Sequence, residues 1–445
     1  MSHAFAPSRI VGALRWSRMV DLLASAGYML DVVSVAPAAS SVIEQSMLDA
    51  LPPGTRIFTV PEPGPGPWNR MLAALVQARR RGVAWSQPAT ASSPARSGAT
   101  APERPKRISL ARSVRRALIF LAHDEAEVRW AEAAAVAVRR HLDLGAYRAI
   151  VSSGPPHYVH VMAGALARRS GRPHVADLRD PWARWSWLGE EYTSFLFLTT
   201  RIPREASVVA NAALVTTTSD RQSDALRRAY PKQAAHVHTV LNGTDDAPLP
   251  PPTDDGVFRI SFAGLLYLDR DPTVLFRAIR GFLDSTGTTP AQVRVEFMGD
   301  VELIGERPVR NIANAAGIGP WLTLTPSRPR AEAMMLLARS RVLINFAERL
   351  QETIAAKIFE YVRFPAWILL IGPDDSATHD LLRGSHALSA APDDAQAMQR
   401  HLESTYASWR KSGRPRPITE LLPLSRTVQA RRLAELLDRL FAPAT

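Results

Sequence analysis

Ala149-Ile150-Val151-Ser152-Ser153, then Gly154-Pro155-Pro156-His157, and after a helical stretch His174-Val175-Ala176-Asp177-Leu178: these residues decide the fold. Each apolar run is strand-length and stops at a polar or Gly/Pro boundary. The segment between them continues as a helix to Arg169, and Gly171 closes it. Strand, helix, strand in that order builds a parallel sheet, and ligands gather where its strands end. Ser153, His157, Asp177 and Arg179 are placed at that edge.

Working outward, the upstream chain opens with Val11-Gly12-Ala13-Leu14-Arg15-Trp16, which leads into a helical pattern through Met19, Val20, Leu22 and Leu23 that Gly27 ends. A short strand follows over Met29 to Val35. Residues 61–67, Pro-Glu-Pro-Gly-Pro-Gly-Pro, form a loop and lack the spacing of a dinucleotide fingerprint. Residues 87–106 turn to Pro, Ala, Ser, Thr and Arg, the composition of a disordered loop. An amphipathic helix is expected over Arg107 to Leu121, with Arg112, Arg115 and Arg116 off its apolar stripe, and an Ala-rich helix over Glu125 to His141. The basic helix suits an anionic membrane surface, or simply packs on its own domain with the Arg in water.

Downstream, Leu214 to Thr218 and Val237 to Leu241 read as strands, and Pro248 to Pro252 breaks all regular structure. A second alternating series begins at Phe258-Arg259-Ile260-Ser261-Phe262-Ala263 with Gly264 after it. Further strands are predicted over Val293 to Met298, Leu322 to Leu324, Val342 to Phe346 and Trp367 to Ile371, with helices between, such as Arg330 to Ala338. The expected division is residues 1–246, residues 253–420, and a C-terminal helix within 421–445 crossing back onto the first domain.

Gln351-Glu352-Thr353-Ile354-Ala355-Ala356-Lys357-Ile358-Phe359-Glu360-Tyr361 follows the strand Val342 to Phe346. Thr353 is the expected N-cap of a helix, leaving the amides near Ala355 and Ala356 open to an anion. Lys357 adds charge one turn in, and Glu352 and Glu360 flank the spot. A diphosphate with hydroxyls at both ends fits such a cradle. Spacing alone also describes an ordinary amphipathic helix with Ile354, Ile358, Tyr361 and Val362 on the core.

Two Glu with seven residues between them, a Lys three before the second, and Phe-Glu-Tyr resemble the donor-site signature of the family 4 (group 1) retaining glycosyltransferases. The resemblance implies a GT-B fold: two doubly wound Rossmann-like α/β domains facing across a cleft. It also implies that Glu352 meets the transferred sugar, Glu360 the ribose hydroxyls and Lys357 the diphosphate, with Arg270, Gly264 and Thr353 completing the donor site. Arg363-Phe364-Pro365 departs from the family, where a Gly commonly precedes the Pro. Ser-Ser-Gly-Pro-Pro-His, Val-Ala-Asp-Leu-Arg-Asp-Pro-Trp and His123-Asp124 through Trp130 resemble a bacterial branch of the same family. By that likeness His157 contacts the donor sugar or orients the acceptor. Gly12, Ala13, Asp177 and Arg179 stand on the acceptor side, where Asp177, Arg179 and Asp180 are as readily a structural ion-pair cluster that shapes the cleft. The family's buried first strand has only Met1 to Phe5 to supply it, so either it is very short or the start lies upstream.

The 445 residues suffice for two domains, and 46% hydrophobic with 22% charged content fits a globular protein. No Cys is present, which excludes disulfides, thiolate metal sites and Cys nucleophiles. No Walker A or His-Glu-x-x-His motif occurs. Asp269-Arg270-Asp271 spells the Asp-x-Asp metal motif of another glycosyltransferase fold but lies in the wrong context, and no metal or cofactor is expected. The net charge of +12 suits phosphorylated substrates or anionic lipid. Nucleic acid is not expected, since aromatics do not interleave the basic runs. No apolar run spans a bilayer and no signal peptide is evident, so a cytoplasmic protein, peripheral on the inner membrane face at most, is expected. The reading is a metal-independent retaining glycosyltransferase acting on a nucleotide diphospho-sugar and a sugar or lipid-linked acceptor in cell-surface polysaccharide or glycolipid synthesis. A sugar-nucleotide epimerase on the same fold and a non-catalytic sugar-nucleotide-binding scaffold are its rivals.

Overall fold

The computed structural model describes residues 1–8, 11–37, 45–71, 73–74, 110–183, 195–267, 270–347, 351–420 and 422–442, with side chains left undescribed at 11, 46, 110–120, 122–124, 126 and 195–198. The proline- and serine-rich stretch 87–106 and the side chains of Arg112, Arg115 and Arg116 lie outside this description.

The first half runs α1 (Val11–Ser25), β1 (Val32–Val35), α2 (Gln45–Asp49), β2 (Ile57–Val60), α3 (Leu110–His141), β3 (Ile150–Gly154), α4 (Tyr158–Ser170), β4 (His174–Leu178), α5 (Phe195–Asn211), β5 (Leu214–Thr217), α6 (Asp220–Ala229) and β6 (Val237–Thr239). β3-β4-β5-β6 form a parallel sheet, and β1 pairs in parallel with β2. Residues 1–3 join the two. The Ser2 amide donates to the Val33 carbonyl and the Val35 amide to His3, while the Ser153 amide donates to the Met1 carbonyl. Residues 1–3 thus bridge β1 and β3 through an isolated pairing of Ser2 with Ser153.

Two differences from the sequence reading stand out. The two helices expected over 107–121 and 125–141 are one 32-residue helix, α3, because no Gly or Pro interrupts the chain from Leu110 to His141. β2 was not anticipated: it is a half-buried edge strand of four residues, ended by the proline-rich loop.

The second half holds β7 (Phe258–Leu265), α7 (Thr273–Thr286), β8 (Val293–Asp300), the small hairpin β9 (Leu303–Ile304) and β10 (Arg307–Pro308), α8 (Val309–Ala315), β11 (Leu322–Thr325), α9 (Arg330–Arg339), β12 (Val342–Phe346), α10 (Ile358–Tyr361), β13 (Trp367–Ile371), α11 (Ala377–Leu382), β14 (Leu388–Ala390) and α12 (Ala395–Ser412). Its sheet has the order β11-β8-β7-β12-β13-β14 and is parallel throughout. Strands such as Val342–Phe346 are buried at every position, as a parallel sheet covered on both faces requires. Phe258, Phe262, Phe276, Phe282 and Phe297 fill one layer between the sheet and α7, while Leu343, Ile358, Tyr361 and Ile368 fill the other.

The chain crosses between the halves twice, side by side. Thr244 pairs with Ser425, its amide donating to the Leu424 carbonyl at 2.6 Å. The returning segment forms α13 (Arg426–Phe441), which Ser425 caps through the Val428 amide. Leu433, Ala434 and Leu437 of α13 share a core with Met19, Val20 and Leu23 of α1. Among the described residues no helix is long and apolar enough to cross a membrane.

Candidate functional site

The ends of β7, β8 and β12 in the second half surround a buried cation. Lys357 stands just before α10, and its Nζ lies 4.0 Å from the centre of the Phe262 ring. A side chain at residue 264 would place its Cβ 3.1 Å from that Nζ, so Gly264, with φ +142°, is what lets the ammonium reach the end of the sheet. Nζ is inaccessible to solvent and, among the described residues, has no hydrogen-bond partner. Burial, reinforced by the nearby Arg270 charge, pushes its pKa well below the ordinary lysine value. Arg270, 6% exposed, donates to the Leu265 carbonyl at 3.2 Å and lies on the Tyr267 ring at 4.2 Å. Two cations thus sit at the end of β7.

The helix expected to begin at Thr353 does not. Regular helix starts at Ile358 and lasts one turn, to Tyr361; Thr353 is not its cap. Residues 351–357 form turns and irregular chain, tied down by the Ile358 amide donating to Ala355 at 2.9 Å. Among the described residues the amides of Ala355, Ala356 and Lys357 have no acceptor. They remain open to an anion, but through a turn rather than a helix dipole, since one turn sums few peptide dipoles. Tyr361 anchors the segment: its hydroxyl accepts from the Ala263 amide at 3.0 Å.

Glu360 is not a solitary carboxylate. Arg330 at the start of α9 donates to one oxygen at 2.6 Å, and Arg363 lies 3.6 Å from the other, which is buried and has no hydrogen-bond partner. Among the described residues that oxygen therefore has an ion-pair neighbour but no hydrogen bond. Asp271 of the Asp-x-Asp string accepts from the Thr273 amide at 2.9 Å and pairs with Arg307, and Asp269 lies outside the described residues.

On the facing half, Asp177 proves to be scaffold. It is fully buried and accepts from Arg15 at 2.9 and 3.2 Å, Trp16 at 2.8 Å, Ser153 at 2.8 Å and Thr216 at 2.8 Å. Burial alone pushes its carboxyl up, but the Arg15 charge and these bonds pull it down to about 2. Five donors leave it no lone pair for an acceptor sugar, so its work is to bind α1 to the sheet. Arg179 donates to the Gly154 carbonyl at 3.1 Å and to Pro155 at 2.6 Å. Gly12 and Ala13, expected in a loop beneath the sugar, occupy the first turn of α1 instead, with Ala13 fully buried. A Cβ on residue 12 would come within 1.8 Å of the Arg179 guanidinium, so the absence of a side chain at Gly12 makes room for that arginine.

His157 is 1% exposed and stacks on Trp182, centroids 5.4 Å apart. It makes no side-chain cap on α4. Burial, then the charges of His160, Arg201 and Arg179, pushes its pKa well below the ordinary value, so the ring is neutral. Among the described residues neither ring nitrogen makes a well-formed hydrogen bond, although the Pro181 backbone lies near enough to oppose the shift slightly. Behind it the Ser152 hydroxyl bridges His160 and His174 at 2.8 Å each.

The two edges meet. Ser219, following β5, donates to the Glu352 carbonyl, and Arg221 pairs with Asp380 and donates to the Asp375 carbonyl. These contacts join segments at the strand C-termini of both sheets, so those two edges face each other. Sequence reasoning missed Arg330, Arg15, Trp16, Ser219 and Arg221 as site-building residues. Only Ser219 carried a local signal, a Ser opening a helix with Asp220 after it.

No protein-family model matches the chain, and no curated protein matches it in sequence. Solved structures do match in shape over nearly the whole length. A glycosyltransferase from Rickettsia africae has a TM-score of 0.59 at 10% identity, covering 100% of this chain and 98% of its own. Anabaena HepE in complex with UDP-glucose reaches 0.60 at 13% identity, covering 98% of each chain. Sucrose-phosphate synthase from Thermosynechococcus elongatus reaches 0.60 at 13%, covering 96% of this chain and 92% of its own. The likeness establishes the fold as GT-B, with two Rossmann-like units.

Proposed function

We propose that the protein is a retaining glycosyltransferase that moves a sugar from a nucleotide diphospho-sugar to an acceptor hydroxyl. The observation that carries the reading is the Lys357 ammonium, buried at the end of β7 with no oxygen to bind. A desolvated cation of this kind is stabilised by an incoming anion, and with Arg270 beside it the complement is a diphosphate. The fold adds to this: its similar structures include one holding UDP-glucose.

The chemistry follows from the placement. As the bond from the sugar to the diphosphate lengthens, charge grows on the leaving oxygens, where Lys357, Arg270 and the amides of 355–357 stabilise it. Each fixed donor in such a position lowers the barrier by roughly 3–4 kcal/mol. Glu360, held by Arg330 on one oxygen, offers the other to the ribose. Glu352, on the irregular stretch before Lys357, orients the sugar and tolerates positive charge at its anomeric carbon. The departing diphosphate takes the proton of the incoming hydroxyl on the same face, which gives retention without a separate base. Lys357 and Arg270 perform the charge neutralisation in this scheme, and no metal is assigned a role. The neutral His157 is assigned to the acceptor side. A sugar or lipid-linked acceptor in cell-surface polysaccharide or glycolipid synthesis is proposed from the resemblance of 152–157 and 175–182 to the bacterial branch.

A thermal-shift panel of nucleoside diphosphates and nucleotide sugars tests the first half of this reading, because a ligand bound only by the folded state raises the midpoint. The stabilising donor is then incubated with candidate acceptors and the product anomer is read by NMR. Retained configuration in a new glycoside supports the proposal. Donor converted to its epimer without acceptor would replace it with an epimerase, and binding without turnover with a scaffold.

A further inference from the structure

We propose that Ser219 and Arg221 are positioning residues for Glu352, holding the loop that bears it from the opposite half of the molecule. The inference rests on the reading of Glu352 as the sugar-facing carboxylate. Its starting point is that residues 351–357 lack the internal hydrogen bonds of a helix, so outside contacts must fix the direction of the Glu352 side chain.

Those contacts come from two sides. Within its own half, the Ala377 amide donates to the Gln351 carbonyl at 2.7 Å, and Gln351 Nε2 donates to Asp375 at 2.8 Å. Across the cleft, the Ser219 hydroxyl donates to the Glu352 carbonyl while accepting from the Gln222 amide at 3.1 Å. One hydroxyl thus caps α6 and grips the loop, and Ser219 is 1% exposed. Arg221, two residues on, spans to the Asp380 carboxylate and the Asp375 carbonyl, next to the atoms that hold Gln351. Its charge also attracts the Glu352 carboxylate. If the Glu352 carbonyl is released the peptide can rotate, and its side chain swings with it. A catalytic group tolerates displacement of only about half an ångström. Residues 355–358 are held locally by the Ile358 amide on Ala355, Lys357 by the Phe262 ring and Glu360 by Arg330, all within the second half, so the clamp on Glu352 acts on turnover and not on nucleotide affinity.

Three substitutions separate this from a merely structural role. Ser219→Ala removes cap and grip together, Ser219→Asp keeps an acceptor for the cap but has no hydroxyl to donate, and Ser219→Thr keeps both. The expected result is a kcat roughly tenfold lower in Ser219→Ala and Ser219→Asp, the loss of one hydrogen bond in the transition state. Ser219→Thr recovers wild-type kcat, Arg221→Gln falls likewise, and the Kd of the nucleoside diphosphate stays within about twofold in all four, well inside one hydrogen bond. Wild-type kcat in Ser219→Asp, or a fall in kcat matched by an equal loss of nucleotide affinity, overturns the proposal. Should the wild type transfer no sugar, the functional reading fails separately. Hydrogen exchange then decides the clamp: faster exchange of the Thr353 and Ile354 amides in Ser219→Asp than in wild type upholds it, and equal exchange overturns it.

Discussion

Lys357→Met keeps the length of the side chain and removes its charge, and the structure predicts that stability and binding move in opposite directions. In the free protein the ammonium has the Phe262 ring face at 4.0 Å and no oxygen partner, with the like charge of Arg270 nearby. Its folded-state pKa is depressed below that of the unfolded chain. Each unit of such depression costs about 1.4 kcal/mol of stability while the pH is below the folded value. The cost shrinks as pH rises toward the ordinary lysine pKa. A buried group without its hydrogen bond costs about 1–3 kcal/mol, against roughly 1 kcal/mol returned by the ring contact. Methionine should therefore raise the melting midpoint by about 2 °C or more at pH 7, and by less at pH 9.

Binding should go the other way. Losing a charge-assisted bond to a phosphate oxygen removes about 1.5–3 kcal/mol, or roughly ten- to hundredfold in Kd. A bound diphosphate also raises the pKa of Lys357, so at pH values between the free-state and bound-state pKa the wild type takes up a proton on binding and Lys357→Met does not. It follows that wild-type affinity weakens as pH rises through the free-state pKa, by about tenfold per unit at most for a single proton. Titration calorimetry in two buffers of different ionisation enthalpy reads the uptake directly. A methionine variant that melts lower and binds the nucleoside diphosphate as well as wild type would show Lys357 to be a structural cation, and the donor site would have to be sought elsewhere.

Glu360→Gln should weaken nucleoside diphosphate binding measurably by calorimetry, whereas Glu352→Gln should leave that Kd unchanged and slow transfer; equal affinity in Glu360→Gln and wild type would remove Glu360 from the ribose. Asp177→Asn strands the buried Arg15 charge and should cost about 3–5 kcal/mol in urea unfolding. With its carboxyl at about 2 when folded, below the ordinary value, the Asp177 contribution is present above about pH 4 and lost as pH falls toward 2, so the two proteins should converge in acid. Gly12→Ala drives a methyl into a guanidinium fixed by two carbonyls and should lower unfolding stability by about 1–3 kcal/mol; a change under about 0.5 kcal/mol would show that Arg179 can step aside.

The strands were legible because the sheets are parallel and covered on both sides. Val342–Phe346 and Trp367–Ile371 are apolar runs bounded by polar or Gly/Pro residues, and β4 has the limits its sequence suggests. The loop around Lys357 was not. Ile354, Ile358 and Tyr361 have helical spacing, and all three reach the core, yet only the last two do so from a helix. What prevents a helix at Thr353 is the pull on its neighbours, the Ala377 amide on Gln351 and the Ser219 hydroxyl on Glu352. Contacts across 26 and 133 residues leave no trace in local periodicity, and here they override propensity. The same holds for Asp177, whose partners Arg15 and Thr216 come from α1 and β5. Sequence position put Asp177 near the C-terminal end of β4, where the structure has it, but burial and five donors decide that it faces inward.

The excess of arginine sharpens what is unusual about Lys357. Many guanidiniums here serve as ties between backbone carbonyls. Arg341 binds the carbonyls of Thr253 and Arg339, Arg414 those of Ala338, Ser340 and Thr253, and Arg363 that of Ala247. Arg15 and Arg179 do the same at Leu241, Gly154 and Pro155. A planar fork of donors can satisfy several carbonyls without any carboxylate. Arg341, Arg363 and Arg15 also meet carboxylates, and Arg179 and Arg414 are satisfied by carbonyls, so none calls for an external anion and the charge of +12 by itself implies neither nucleic acid nor lipid. Lys357 follows a different rule. It is buried as deeply as these arginines, but among the described residues no carbonyl, hydroxyl or carboxylate receives its protons. That contrast, a buried ammonium left without an oxygen at the end of β7 while these guanidiniums find carbonyls, is why the proposed diphosphate contact is placed at Lys357 and not at those arginines.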